Sequence, residues 1–373
     1  MHLTRDDYEI SIICALPLEA EAVRALFDEV DSSTSNENNE GLTKAPEDTN
    51  VYTLGAIGRH RVVLVSMPGM GKISAAATAA TLKQSFRKIK LTLLVGICGG
   101  VPGEEVQQIR LGDVVIGEQV IHYDFGRQQE TGLETKDDRR GSLGGQTPEI
   151  RAFVNKLKSG KKSLQEKVFT YLTPILEKSS PVNINLRDNL YLPGYWHIHR
   201  DGKGCIGEPC EMNKHICQGA RISSCEELKC DRSQIDIDSR RKPKPSIHFG
   251  PVASGDKIMR SATVRDEIAR KEQVIAFDME AAGAWDYLPC LLIKGVSDYA
   301  DSHKNKNWQN YAALTAAVCV KAVLEQWVTT EKRSKEFQIQ HNYTNHNCNF
   351  YNQGEANNYG TLNLTFSTGG KGP

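Results

Sequence analysis

Over residues 8–126 the chain alternates short β-branched runs with alanine-rich stretches of helical period, and this alternation constrains the fold more than any single residue does. Residues 9–15 read as a strand, 18–30 as a helix, 61–67 as a strand, 73–86 as a helix and 91–98 as a strand. Strands that alternate with helices build a mainly parallel sheet covered by those helices. The strand signature resumes at Ile247 and continues through 291–296, and a helix over 308–327, apolar on nearly every face, closes the domain. The expectation is one α/β domain over 8–330.

Three stretches depart from the pattern. Residues 31–49 are polar and read as a loop. Residues 127–245 turn rich in lysine and arginine with Gly-Pro breaks, and read as an insertion or small lobe whose fold is not legible. Residues 331–373 are rich in asparagine mixed with Tyr, Phe and Gly. Such a tail cannot build a globular core and reads either as disordered or as a β-prone segment able to stack in cross-β ladders.

With 46 basic and 46 acidic residues the formal net charge is +0, so no global field draws the chain to nucleic acid or an anionic membrane. Any phosphate must be held by local cations. The first residues, 1–9, are polar, and no apolar run approaches the roughly 20 residues of a membrane helix; the expected location is cytoplasmic. In that compartment the ten cysteines are thiols or metal ligands rather than disulfides. Cys14, Cys98, Cys290 and Cys319 sit in apolar runs as small hydrophobes.

Several segments could carry chemistry. After the first strand, Cys14-Ala15-Leu16-Pro17-Leu18-Glu19-Ala20-Glu21 places acids in the first turn of a helix, where α/β folds put active sites and where a helix-dipole acid is equally at home. Met67-Pro68-Gly69-Met70-Gly71-Lys72-Ile73-Ser74 invites comparison with a phosphate-binding loop but fails it: Ser66 stands at the first glycine and Ile73 at the hydroxyl. Near Val95-Gly96-Ile97-Cys98-Gly99-Gly100, paired glycines suit tight packing or ligand contact alike. Two acidic segments, Phe277-Asp278-Met279-Glu280 and Val296-Ser297-Asp298-Tyr299-Ala300-Asp301, each adjoin a strand.

In order, CALPLEAEA, MPGMGKISAA, LVGICGGV, RLGDVVI, ASGDKIM, FDMEAAG and VSDYAD resemble the nucleoside phosphorylase/nucleosidase superfamily, nearest to a fungal branch found as the first module of intracellular immune receptors. The resemblance covers residues 8–327 apart from the insertion. It implies a three-layer α/β/α fold with a central mixed sheet. It implies that Asp298, oriented by Ser297, hydrogen-bonds or protonates purine N7, and that Glu280 accepts from the ribose hydroxyls while Met279 packs on the sugar. Glu19 becomes the base that activates water, with Glu21 as the fallback, and Ile97, Gly99 and Ile258 form the wall around the purine. Glycosidic cleavage passes through an oxocarbenium-like sugar, so an acid at the leaving base and a base on water suit it, each contributing about 10²- to 10⁴-fold. No cofactor or metal is called for.

Phosphorylases of the superfamily carry a Gly-Asp-Pro-x-x-Arg turn after strand one and an arginine near the LVGICGG strand. Here Leu16-Pro17-Leu18-Glu19 and Leu94 and Ile97 occupy those places, so hydrolysis is expected over phosphorolysis. The resemblance suggests adenine nucleosides or nucleotides as substrates, ATP or ADP above all, with Lys72, Arg127, His303, Lys304 and Lys306 as candidate phosphate ligands. It also suggests a homo-oligomeric immunity or cell-death effector that meets a receptor or amyloid partner through residues 337–373. Two other readings stay open: phosphorolysis, and a non-catalytic nucleotide sensor, since Asp278 replaces a more usual Glu and Asp256 a frequent Asn. Within the insertion, Cys205, Cys210, Cys217, Cys225 and Cys230 with His197, His199 and His215 could include a zinc site. None forms C-x-x-C and the spacings are irregular, so the expectation is no metal.

Overall fold

Every residue of β1 (Ile10–Cys14) is buried, as a central strand covered on both faces requires. The computed structural model describes residues 3–31, 43–103, 108–130, 132–135, 146–178, 187–201, 203–211, 215–240, 244–304 and 306–328, which lie in a single unit, Met1–Thr329. The tail, 331–373, and the expectations for it lie outside the described residues, as does most of the polar loop.

Pro17 occupies the first turn of α1 (Pro17–Arg24), where its missing N–H costs no helical hydrogen bond. This helix stops well short of the predicted 18–30, because β2 (Glu29–Val30) peels off to pair with β3 (Val51–Ile57). There follow β4 (His60–Ser66), α2 (Lys72–Ser85), β5 (Leu91–Gly100) and β6 (Val114–His122). A hairpin of β7 (Gly126–Gln129) and β8 (Gly132–Thr135) leads to α3 (Pro148–Ser159) and α4 (Lys161–Lys178). After β9 (Arg187–Tyr191), α5 (Gln218–Ile222) and β10 (Ile235–Arg240), the chain returns to the sheet through β11 (Ile247–Ser254), α6 (Ala262–Glu272), β12 (Ala276–Asp278), α7 (Ala281–Ala284), β13 (Cys290–Asp298) and α8 (Gln309–Leu324).

The main sheet is mixed, in the order β12-β11-β6-β13-β5-β1-β4-β3-β2, and β12 also pairs antiparallel with β5. Five strands therefore close on themselves. Strand β5 runs parallel to both β1 and β13, while β13 meets β6 antiparallel. Against this centre packs α8, so closely that a β-carbon on Gly295 would overlap the Ala312 carbonyl.

Residues 127–245 are not wholly peripheral. Ile150, Phe153, Val154 and Leu157 of α3 and Leu164, Val168 and Leu172 of α4 are buried in the main core. Their three-to-four-residue spacing is a helical stripe that the lysine-rich outer faces obscure in the sequence. The later part of this stretch makes its own cluster around Tyr191, Cys217, Ala220, Leu228 and Cys230, to which Tyr191 of β9 and Ile235 of β10 contribute. No helix among the described residues is long and apolar enough to cross a membrane.

Candidate active site

Glu19 occupies the third position of α1 and turns back into the protein. Its Oε2 accepts from the N–H groups of Ala15 and Leu16, both at 2.9 Å, and its Oε1 from the N–H of Ile97 at 2.8 Å. Two of these donors belong to the open start of the helix, where backbone N–H groups lack intrahelical acceptors; the third fixes the carboxylate against β5. A β-carbon on Gly96 would overlap the same carboxylate, so the glycine makes room for it. Glu19 is only 3% exposed, and burial pushes its carboxyl above the usual range, with the Lys294 ammonium and the Leu16 and Ile97 N–H groups pulling it back. Glu21, the fallback base, is exposed.

Lys294, in the middle of β13, was assigned no role from the sequence, yet it is the buried cation of the site. Its Nζ lies 3.2 Å from Glu280 Oε2 and 3.3 Å from Asp278 Oδ2. Burial works against its charge, but Glu280, Asp278 and Glu19 together hold the ammonium above the ordinary lysine range. Burial raises the Asp278 carboxyl, against the pull of Lys294. Asp278 also accepts from the N–H of Ala281, 3.1 Å from Oδ2, anchoring the start of α7. Glu280 keeps its other oxygen for the turn before α2, where the N–H of Gly71 (φ 105°) lies 3.4 Å from Oε1. Met279 beside it is partly buried.

Asp298 owes its position to a break in the β5–β13 ladder. Val296 pairs with Cys98 and Asp298 with the next residue, Gly99, leaving Ser297 as the extra residue of a bulge. Bulges re-aim the side chains beside them. Ser297 Oγ donates to Asp298 Oδ2 at 2.8 Å, the N–H of Ala300 donates to Oδ1 at 2.9 Å, and Lys304 Nζ closes on Oδ2 at 2.9 Å. A β-carbon on Gly99 would come within 3.1 Å of Asp298 Oδ1 and 2.9 Å of the Ala300 side chain. Glu19 and Asp298 thus flank one short segment of β5, Gly96 to Gly99, with the Lys294–Glu280 pair nearby.

The remaining predicted residues disperse. Ile258 is 51% exposed, and Arg127 lies on the exposed β7 strand. Lys72 is taken up by Asp124, 2.6 Å from its Nζ, and by Asp256 at 3.7 Å. His303 is buried and stacked on Tyr191, ring centroids 3.9 Å apart. With Lys304 and Lys306 it lines a cleft of about 970 Å³ whose wall also carries Arg187, Arg221, Arg232 and Arg260. Those four arginines, spread over the insertion and the loop before α6, escaped the sequence reading because only folding gathers them.

Fold and site together define an α/β protein with an acid-rich centre at the ends of β1, β5 and β13. Residues 9–159 match the family model described as Phosphorylase superfamily, in keeping with the superfamily that the ordered motifs resemble. It is similar to a nucleotide-binding leucine-rich repeat (NLR)-like protein of Hyaloscypha variabilis, 30% identical over 331 residues, which are 86% of this chain and 30% of the relative. A 5'-methylthioadenosine/S-adenosylhomocysteine nucleosidase of Mycobacterium tuberculosis is 20% identical over 84% of this chain and 95% of its own length. ATP nucleosidase Cap17 of Escherichia coli is 22% identical over 86% of this chain and 52% of its own. The chain thus spans under a third of the first relative and about half of the last.

Proposed function

We propose that this chain hydrolyses the N-glycosidic bond of adenine nucleosides and nucleotides, ATP and ADP foremost, releasing adenine and the ribose or ribose phosphate. The observation that carries this reading is the placement of Glu19 and Asp298 around Gly96–Gly99 of β5. Glu19, ionised, takes a proton from water as it attacks the anomeric carbon; Asp298, protonated, gives one to N7 as the base departs; Glu280 accepts from the ribose hydroxyls. A raised Glu19 pKa makes a better base, because it grips the proton of the attacking water more firmly. Around Lys294 stand three carboxylates, Glu19, Asp278 and Glu280, an excess of acid that disfavours a phosphate dianion and supports hydrolysis over phosphorolysis.

The cationic cleft supports nucleotides over nucleosides. Lys304 bridges cleft and acid, since it lines the one and pairs with Asp298. A substrate phosphate in the cleft would share Lys304 with Asp298. Depletion of adenine nucleotides suits an immunity or cell-death effector acting as a homo-oligomer, and similarity to an NLR-like protein is in keeping with that role.

Chromatography of protein incubated with ATP, adenosine and methylthioadenosine, with and without phosphate, tests the proposal. Free adenine from ATP without phosphate is the expected result, lost in Asp298→Asn. Product only in the presence of phosphate makes the chain a phosphorylase, and no product from folded protein makes it a nucleotide-binding module.

A further inference from the structure

We infer that the lobe between β9 and β10 binds two zinc ions, one of them through a histidine on the loop that follows Asp298. At the first site His199, Cys205, Cys210 and Cys217 each present one ligand atom, all within 4.8 Å of one another. His199 Nδ1 lies 3.4 Å from Cys217 Sγ and 3.9 Å from Cys210 Sγ. Tetrahedral zinc with Zn–S near 2.3 Å and Zn–N near 2.0 Å sets its ligands about 3.5–3.8 Å apart, so little movement closes the shell.

The local backbone is built for sulfur ligands. Gly204 (φ 82°) and Gly207 (φ 80°) bend the chain on either side of Cys205, and the Glu211–His215 bridge folds a small hairpin that returns Cys217 to Cys210. The N–H groups of Cys210, Cys217 and Ala220 point at the sulfurs of Cys205, Cys210 and Cys217, at 3.4, 3.5 and 3.2 Å. Such outer donors orient thiolate ligands and stabilise their charge.

The second site gathers His197, Cys230 and His303 within the same 4.8 Å limit; Cys225 Sγ, 3.7 Å from His197 Nδ1, stands beside the group but outside that limit and would have to move in to complete the shell. His197 Nε2 lies 2.9 Å from the Ser223 carbonyl. A carbonyl only accepts, so Nε2 carries the proton and Nδ1 turns its lone pair toward Cys225 and Cys230, the latter at 3.4 Å. His303 Nε2 is buried and has no hydrogen-bond partner among the described residues, a need that a metal ion meets. Disulfides would pair the sulfurs but leave both imidazole pairings unexplained. Because His303 adjoins Lys304, and the N–H of His197 donates to Ser302 Oγ at 3.2 Å, the second ion ties the lobe to the loop beside Asp298.

Elemental analysis of the full chain, purified without chelator, is the direct test, with about two zinc ions per chain expected. Cys217→Ser and Cys230→Ser should each lose about one equivalent, and cobalt(II) in place of zinc should give thiolate charge-transfer bands and tetrahedral d–d absorption. Zinc far below one per chain in folded wild-type protein, with these thiols titrating as free or found as disulfides by mass, overturns the inference. One equivalent that survives Cys230→Ser and vanishes with Cys217→Ser overturns the second site alone. Measuring wild-type stoichiometry first keeps the test decisive even where a variant fails to fold.

Discussion

The acid centre and the cysteine–histidine lobe solve the same problem, how to gather reactive side chains in one small volume, by opposite means. At the centre the groups come from distant segments, Glu19, Ile97, Glu280, Lys294 and Asp298, and sheet register brings them together. Their charges compensate one another, with Lys294 set between Asp278 and Glu280. In the lobe, most of the convergent groups lie within one short stretch of irregular chain, where thiols and imidazoles face each other. A centre so assembled couples chemistry to core stability, whereas the lobe depends on what it binds.

The largest effect that would sharpen this contrast is on the acid itself. Asp298→Asn keeps the size of the side chain and should cost about 10²- to 10⁴-fold in kcat by adenine release, with thermal stability nearly unchanged because its partner Lys304 reaches solvent. Lys294→Met should show the coupling most plainly: it strands buried carboxylates and is expected to cost about 3–5 kcal/mol in denaturant unfolding. Without the ammonium that pulls them down, Asp278 and Glu19 protonate more readily in the folded variant. The stability deficit should therefore be greatest above the raised carboxylate pKa values and shrink as pH falls through them. A deficit that does not change with pH would break the account of the centre as a compensated charge cluster.

Smaller effects follow at the edges. Gly96→Ala pushes the Glu19 carboxylate aside, and displacement of that order should lower kcat by up to about 10²-fold in steady-state assays while leaving nucleotide binding measurable by calorimetry. Since burial raises the Glu19 pKa, activity should fall on the acid side through a value above the ordinary glutamate pKa of about 4.3; a limb at or below it would remove Glu19 from the role of base. The least severe change is Arg221→Ala or Arg260→Ala in the cleft. Each should raise KM for ATP several-fold, on the order of 1 kcal/mol for one exposed charge contact, and leave adenosine hydrolysis unaltered. Equal losses on both substrates would sever the cleft from the phosphate.

Much of this was legible in the chain. Strands β1, β4, β5, β11 and β13 and helices α2 and α8 follow from runs of β-branched or alanine-rich residues, because burial on both faces leaves little choice of side chain. Glu19, Glu280 and Asp298 were legible as acids beside strand ends. Helices α3 and α4 were not, since their apolar stripes are diluted by exposed lysines. Lys294 reads in the sequence as one polar residue in an apolar strand, and only the parallel pairing of β13 with β5 and the turn into α7 bring Asp278, Glu280 and Glu19 around it. The irregular cysteine spacing argued against a metal, but ligands need meet only in space, and His303 joins Cys230 from the far side of the domain's sequence. Local sequence thus determined which segments are strand, helix and acid-bearing turn, because those depend on neighbours along the chain. Which charges face one another, and which thiols share a site, was decided by the tertiary structure, because electrostatic and ligand geometry act through distance and are blind to chain order.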